Sequence, residues 1–340
     1  MSINIALICI TAGVISWIIT GFLRRYALAR NIIDVPNTRS SHDIPTPRGG
    51  GLSIVIAFLG VLFFQWQSEF LTERDFWFLF VPPAWIALVG MVDDLGHIPA
   101  RWRLLAHFFG AGGALFLLGG FPPVSIFGYI VNMGWMGQIL ALIYLVWLLN
   151  LYNFMDGIDG IAGVEAISVC LGGAVVYWIG NPDTRNWILL LLLFTSVAGF
   201  LFWNFPKARI FMGDAGSGFL GFMLGLFSLQ AAHVAPEFFW AWIILLSVFI
   251  IDATVTLVRR ILRGDTFYQA HRSHAYQILS RRLDSHVKVT ISVLLINLFW
   301  LLPWAIFSVL FPRFALLYVL VAISPLVLIA IKTGAGTTNK

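Results

Sequence analysis

Five aspartates stand out by type and setting: Asp93, Asp94, Asp156, Asp159 and Asp214. Each lies where a long apolar stretch meets a polar one. Taken singly, such a residue is a solvated loop charge or a helix N-cap, and Asp214, opening an apolar stretch, suits an N-cap well. Taken together they would raise one another's pKa unless a cation neutralised them, which a hard divalent ion with oxygen ligands does. Mg2+, with Mn2+ as the alternative, takes one or two carboxylates, keeps several waters and spends its remaining positions on phosphates. The chemistry implied is work on a diphosphate at a membrane surface.

Other polar residues gather around these acids. Arg101 and Arg103 follow the Asp93–Asp94 pair and could clamp a phosphate. Asn150, Asn153, Asp156 and Asp159 recur three apart, a spacing that shares one helix face, while Gly157 and Gly160 argue for a turn through which backbone amides could approach an anion. Asn204 and Asp214 bracket the next polar connection. His271, Arg272 and His274 belong to a basic tract that could bind phosphate or sugar, and Asp252, inside an apolar stretch, is costly unless paired.

The elements that must position these residues are membrane helices. Of 340 residues, 59% are hydrophobic and 11% charged, against roughly a quarter charged in a soluble domain. Apolar blocks of about 20 residues, enough to cross roughly 30 Å of hydrocarbon, lie near 3 to 23, 50 to 66, 76 to 92, 104 to 120, 135 to 152, 161 to 180, 187 to 203, 216 to 233, 238 to 258, 289 to 311 and 314 to 331. The expectation is an all-α integral membrane protein of about eleven transmembrane helices, with the N-terminus outside and the C-terminus cytoplasmic. Of the 21 basic residues, only Arg74, Arg185 and Arg313 then fall outside, a strong positive-inside signal. The same dispersal over juxtamembrane loops speaks against nucleic acid and for anionic lipid as the partner of this basic chain. Cys9 and Cys170 sit within apolar blocks as small hydrophobes. Pro122, Pro123, Gly128 and Gly134 around Val124, Ile126 and Tyr129 predict a short external hairpin, and the glycines at 110, 112, 113, 218, 221 and 225 predict close helix packing.

Asp93-Asp94, the tract Asn153-x-x-Asp156-Gly-x-Asp159-Gly, and Asn204 followed by Phe-Met-Gly-Asp214-x-Gly-Ser together resemble the polyprenyl-phosphate N-acetylhexosamine-1-phosphate transferases, the WecA- and MraY-type enzymes of glycosyltransferase family 4. The resemblance covers nearly the whole chain. It implies Asp214 as the magnesium ligand, Asp93 and Asp94 as catalytic activators of a lipid phosphate, and Asn153, Asp156, Asp159 and Asn204 as the nucleotide-sugar site. Arg48, Arg101, His271, Arg272 and His274 complete the candidate substrate-binding set. The tract from Arg39 through Ser40, Ser41, His42 and Arg48 to three glycines looks most like the WbpL-type subgroup that initiates O-antigen or related glycans. Two features depart from the family: the basic residue usual soon after the acid pair appears only at Arg101, and Tyr276 and Gln277 stand where further histidines are usual.

The resemblance thus implies one membrane domain over 1–340, whose inside loops 24–49, 93–103, 153–160, 204–215 and 259–288 form the active site. It implies a multi-pass protein of the bacterial inner membrane with that site facing the cytoplasm, and it admits a homodimer. Undecaprenyl phosphate and a UDP-N-acetylaminosugar are the expected substrates. The alternatives are an MraY-like transfer of phospho-N-acetylmuramoyl-pentapeptide, an ion-coupled transporter with Asp252 as its intramembrane acid, and a CDP-alcohol phosphotransferase. That last signature does not begin at Asp156 or Asp159.

Overall fold

An apolar stretch with no water to satisfy its amides must close its hydrogen bonds internally, and each of the expected stretches is helical. The computed structural model describes residues 5–36, 44–96, 98–265 and 272–337. Helices α1 (Ile5–Ala29), α2 (Leu52–Gln67), α3 (Glu73–Gly96) and α4 (Ala100–Leu118) lead to α5 (Gly134–Met155), α6 (Ile161–Gly180), α7 (Asn186–Asn204) and α8 (Asp214–Val234). Beyond these come α9 (Phe238–Leu245), α10 (Ser247–Leu262), α11 (Ala275–Leu283), α12 (His286–Ile296), α13 (Leu302–Leu310) and α14 (Ala315–Thr333), with a π-helical turn joining α12 to α13. Among the described residues, eight segments are long and apolar enough to cross a membrane. The short α2 and the arginine-bearing α4 are not among them.

The stretch from 238 to 258, expected as one straight span, is bent. α9 and α10 meet at 67°, and at the break the Ser247 hydroxyl donates to the Ile243 carbonyl at 2.7 Å, a back-bond that bends helices. Beyond the bend α10 is two-sided: Asp252, Thr256 and Arg260 are buried while Val258, Ile261 and Leu262 are exposed. Asp252 thereby reaches partners that a straight apolar span would deny it.

α8 is the axis of the bundle. Every residue from Ala215 to Ala232 is buried, as in a helix apolar all round and enclosed by others. Glycine makes this possible, since a Cβ at Gly221 would lie 2.6 Å from the Leu148 carbonyl of α5. Side chains would crowd a Cβ at Gly110 and Gly225, at 2.8 and 2.9 Å, but one at Gly218 would meet only ordinary contacts from 3.7 Å and nothing lies within 4 Å at Gly112 or Gly113, so the close-packing expectation fails at those three. The hairpin is present: Val124–Ile126 (β1) pairs antiparallel with Tyr129–Val131 (β2), Ile126 opposite Tyr129. Its two-residue turn, Phe127-Gly128, has positive φ at both positions, the turn whose twist matches that of paired strands.

Candidate active site

Three helix ends converge on the first turn of α8. α3 reaches it because Gly90 carries no side chain; a Cβ there would lie 2.6 Å from the Asp214 backbone. One turn on, the Asp94 carboxylate accepts from the N–H groups of Asp214 and Ala215, both at 3.1 Å. These are donors that a helix start cannot satisfy internally, and the helix dipole favours a negative charge there. Asp214 was expected as the N-cap, but Asp94 supplies the cap from α3. The Asp214 side chain is released for other partners.

Those partners come from α4 and α5. The Asn153 amide donates to Asp214 Oδ1 at 2.8 Å and to Ser217 Oγ at 3.1 Å. Arg103 pairs with the buried Asp93 and stands 3.4 Å from Asp214 Oδ2. Asp93 Oδ1 also accepts from the Ile98 N–H at 2.6 Å. Arg48 enters from the segment before α2, donating to the Asp94 carbonyl at 2.5 Å. That segment is laced to the one before α8, Gly50 and Gly51 donating to the carbonyls of Phe211 and Met212 at 2.9 and 2.8 Å. Asp93, Asp94, Asn153, Asp214 and Arg48 are therefore gathered as the sequence proposed, but Arg103 rather than Arg101 meets the acids. Arg101 lays its guanidinium over the Trp102 ring, 5.7 Å from its centroid.

The tract after α5 forms a second wall. Burial first, and then the charges of Asp214, Asp94 and Asp159, push the Asp156 carboxyl up to about 7. Asp159 turns toward α12, its Oδ2 lying 3.4 Å from His286 Nδ1. Asn204, expected to line the site, spends its amide on the backbone: Oδ1 accepts from the Gly160 N–H at 3.0 Å and Nδ2 donates to the Ile210 carbonyl at 2.9 Å. It stitches the two polar connections together and so positions the wall. His274 faces Asp252, Nδ1 to Oδ1 3.4 Å, while the Arg272 carbonyl accepts from Arg281 at 3.0 Å. His271, like 39–42 of the first tract, lies outside the described residues.

Two residues of this neighbourhood were not singled out from sequence. His107, one turn beyond Arg103 on α4, is buried and lines a small cleft with Arg103, Asn150, Asn153 and Asp214; the Arg103–His107 spacing of four was the available signal. His286 had none, because its partner Asp159 is 127 residues away. Among the described residues, no three His, Cys, Asp or Glu side chains form a ready-made metal cage. The donor set still fits a magnesium ion, which needs only one or two carboxylates when phosphates complete its shell. Burial chiefly raises Asp156, and the neighbouring carboxylate charges that add to it are what such an ion would offset.

Residues 76–232 match the family model described as Glycosyl transferase family 4. The probable undecaprenyl-phosphate N-acetylglucosaminyl 1-phosphate transferase of Bacillus subtilis is 29% identical over 288 residues, covering 83% of this chain and 78% of that protein. The decaprenyl-phosphate N-acetylglucosaminephosphotransferase of Mycobacterium tuberculosis is 30% identical over 328 residues, covering 86% and 80% respectively. The phospho-N-acetylmuramoyl-pentapeptide-transferase of Streptococcus pneumoniae is also 30% identical, over 279 residues, covering 74% of this chain and 81% of that protein.

Proposed function

Since the chain belongs to glycosyl transferase family 4, the polyprenyl-phosphate N-acetylhexosamine-1-phosphate transferases, we propose that it moves an N-acetylaminosugar 1-phosphate from a UDP-sugar to undecaprenyl phosphate. It is a phosphoglycosyltransferase of a multi-pass membrane protein class. The observation that carries the substrate reading is the convergence of Asn153 and Arg103 on the single carboxylate of Asp214, at a helix start whose backbone Asp94 caps.

In this reaction an oxygen of the lipid phosphate attacks the sugar-bearing phosphorus of the donor. The P–O bond to the bridging oxygen breaks, and UMP leaves with that oxygen. The acceptor is already largely anionic at neutral pH, so Asp93 or Asp94 takes only a residual proton or holds the phosphate in line. Arg103 and Arg48 face the incoming charge with fixed donors, the kind of preorganised electrostatics that dominates phosphoryl transfer. Asp214 would hold Mg2+, or Mn2+ in its place, with Asn153 fixing the carboxylate's orientation. When bound, the metal neutralises charge on the donor diphosphate and its leaving phosphate. The Asp156–Asp159 wall receives the nucleotide sugar, with Asn204 keeping its backbone in register. Arg272, His271 and His274 complete the proposed substrate-binding set.

The acidic end faces the cytoplasm of a bacterial inner membrane, with eleven crossings and the N-terminus outside, because that orientation leaves only Arg74, Arg185 and Arg313 on the far side. The product begins a lipid-linked surface glycan such as O-antigen. A second reading, transfer of phospho-N-acetylmuramoyl-pentapeptide, is favoured by the Streptococcus pneumoniae relative. Purified protein given undecaprenyl phosphate, magnesium and equal UDP-GlcNAc and UDP-N-acetylmuramoyl-pentapeptide should form lipid-linked GlcNAc phosphate. Preferred pentapeptide product would establish the second reading, and no product from either donor would overturn both.

A further inference from the structure

The segment following α14 is fastened to the start of α11, and α11 in turn to the acidic tract. After Thr333 the chain turns through left-handed Gly334, and the Ala335 N–H returns to the Ala330 carbonyl at 2.9 Å, a closure that satisfies a helix C-terminus. Ala335 is fully buried against Ala275, Ala330 and Val255. Gly336 then donates its N–H to the Ser273 carbonyl at 2.7 Å. Two arginines hold the turn, Arg259 donating to the Ala335 carbonyl and Arg282 to the Thr333 carbonyl, both at 3.0 Å. Only glycine fits at 336: φ is +72°, and a Cβ would lie 2.7 Å from the Thr256 carbonyl.

Ser273 leads directly into α11. Asp252 accepts from the N–H groups of Ala275 and Tyr276 at 2.8 and 3.0 Å, capping that helix from α10. The Tyr276 ring is thereby aimed at the end of α5, where its hydroxyl donates to the Phe154 carbonyl at 2.9 Å. This carbonyl belongs to the last turn of α5, whose acceptors have no partner within the helix. Gly157 sits so close that a Cβ would lie 2.2 Å from the same hydroxyl. Phe154 and Gly157 flank Asp156.

We propose that the hook at 334–336 is a positioning element for sugar-phosphate transfer, acting through α11 and the Tyr276 hydroxyl to fix the backbone that presents Asn153, Asp156 and Asp159. Neither the hook nor Tyr276 touches the reacting atoms. Their effect is on registration, where shifts of about 1 Å can cost ~100-fold. The proposal rests on the reading that this tract receives the nucleotide sugar, and its test separates the two.

The full chain, reconstituted in lipid nanodiscs, is compared as wild type, Tyr276→Phe, Gly336→Ala and the double variant, with Arg282→Gln as a milder disturbance of the hook should Gly336→Ala fail to fold. Rates are measured against donor and acceptor separately. Each single variant should raise the donor KM about 3- to 10-fold, the range of one hydrogen bond, with the acceptor KM unchanged. The double variant should be no worse than the poorer single, because both act on one contact. Multiplying effects in the double variant, or wild-type kinetics in both Gly336→Ala and Arg282→Gln, would overturn the relay. Non-multiplying effects on the acceptor KM instead would uphold the relay and sink the donor assignment.

Discussion

The two ends of the helix bundle use polar residues in opposite ways. At the hairpin end, polar side chains close backbone groups: Arg74 donates to the carbonyls of Leu117 and Leu118 at 2.8 and 2.6 Å, Gln138 accepts from the Phe121 N–H at 3.1 Å, and Trp240 donates to the Ser125 carbonyl at 2.5 Å. Each satisfies backbone groups locally, and no cluster of like charges gathers among them. At the other end Asp93, Asp94, Asp156 and Asp214 crowd together with Arg103 shared between two of them. Folding alone would not favour so many like charges in one place. The surplus marks the end that binds something.

The strongest way to break this contrast is to remove the charge at the convergence point. Asp214→Asn keeps the size and leaves the Asp94 cap intact, so the protein should still accumulate in the membrane and elute as wild type, while turnover falls about a thousandfold. Transfer near the wild-type rate would move the metal ligand elsewhere. An intermediate effect should separate the two arginines. Arg103→Gln leaves Asp93 uncompensated and should lower turnover by roughly 10- to 100-fold, whereas Arg101→Gln, which loses only a stack on an exposed indole, should change it less than about twofold. Equal losses in the two variants would restore Arg101 to the site. The smallest effect belongs to the hairpin end: Arg74→Ala should lower stability by about 1 kcal/mol, read as a small drop in thermal midpoint in detergent, with transfer kinetics unchanged. A kinetic defect there would mean that the two ends are coupled.

Much of this was legible in sequence because apolar length and carboxylate spacing are local signals. The helices, the Phe127-Gly128 turn and the grouping of Asp93, Asp94, Asn153 and Asp214 all follow from residues near one another or from a pattern of order along the chain. What was missed depends on contacts made across the bundle. Nothing near Asp214 says that its helix is capped from α3, and sequence alone suggests Asp214 itself as a cap. The burden carried by Asn204 is likewise invisible, since a buried amide satisfied by two carbonyl or amide groups reads the same in sequence as one facing a ligand. The bend between α9 and α10 was missed because hydropathy averages over a window, while Asp252 finds its partners in α11 only after the chain has turned.

The complete enclosure of α8 has a consequence for how the molecule fluctuates. Local opening begins where buried contacts are few and ends in the most enclosed element. Asp214 opens this helix: its side chain is 34% exposed, while its backbone runs directly into the enclosed stretch Ala215–Ala232, the part expected to open last. Motions needed to admit a sugar nucleotide and release its product are then expected in the polar connections around this helix and not in the helix itself. The carboxylate serves as the fixed point against which those segments keep time.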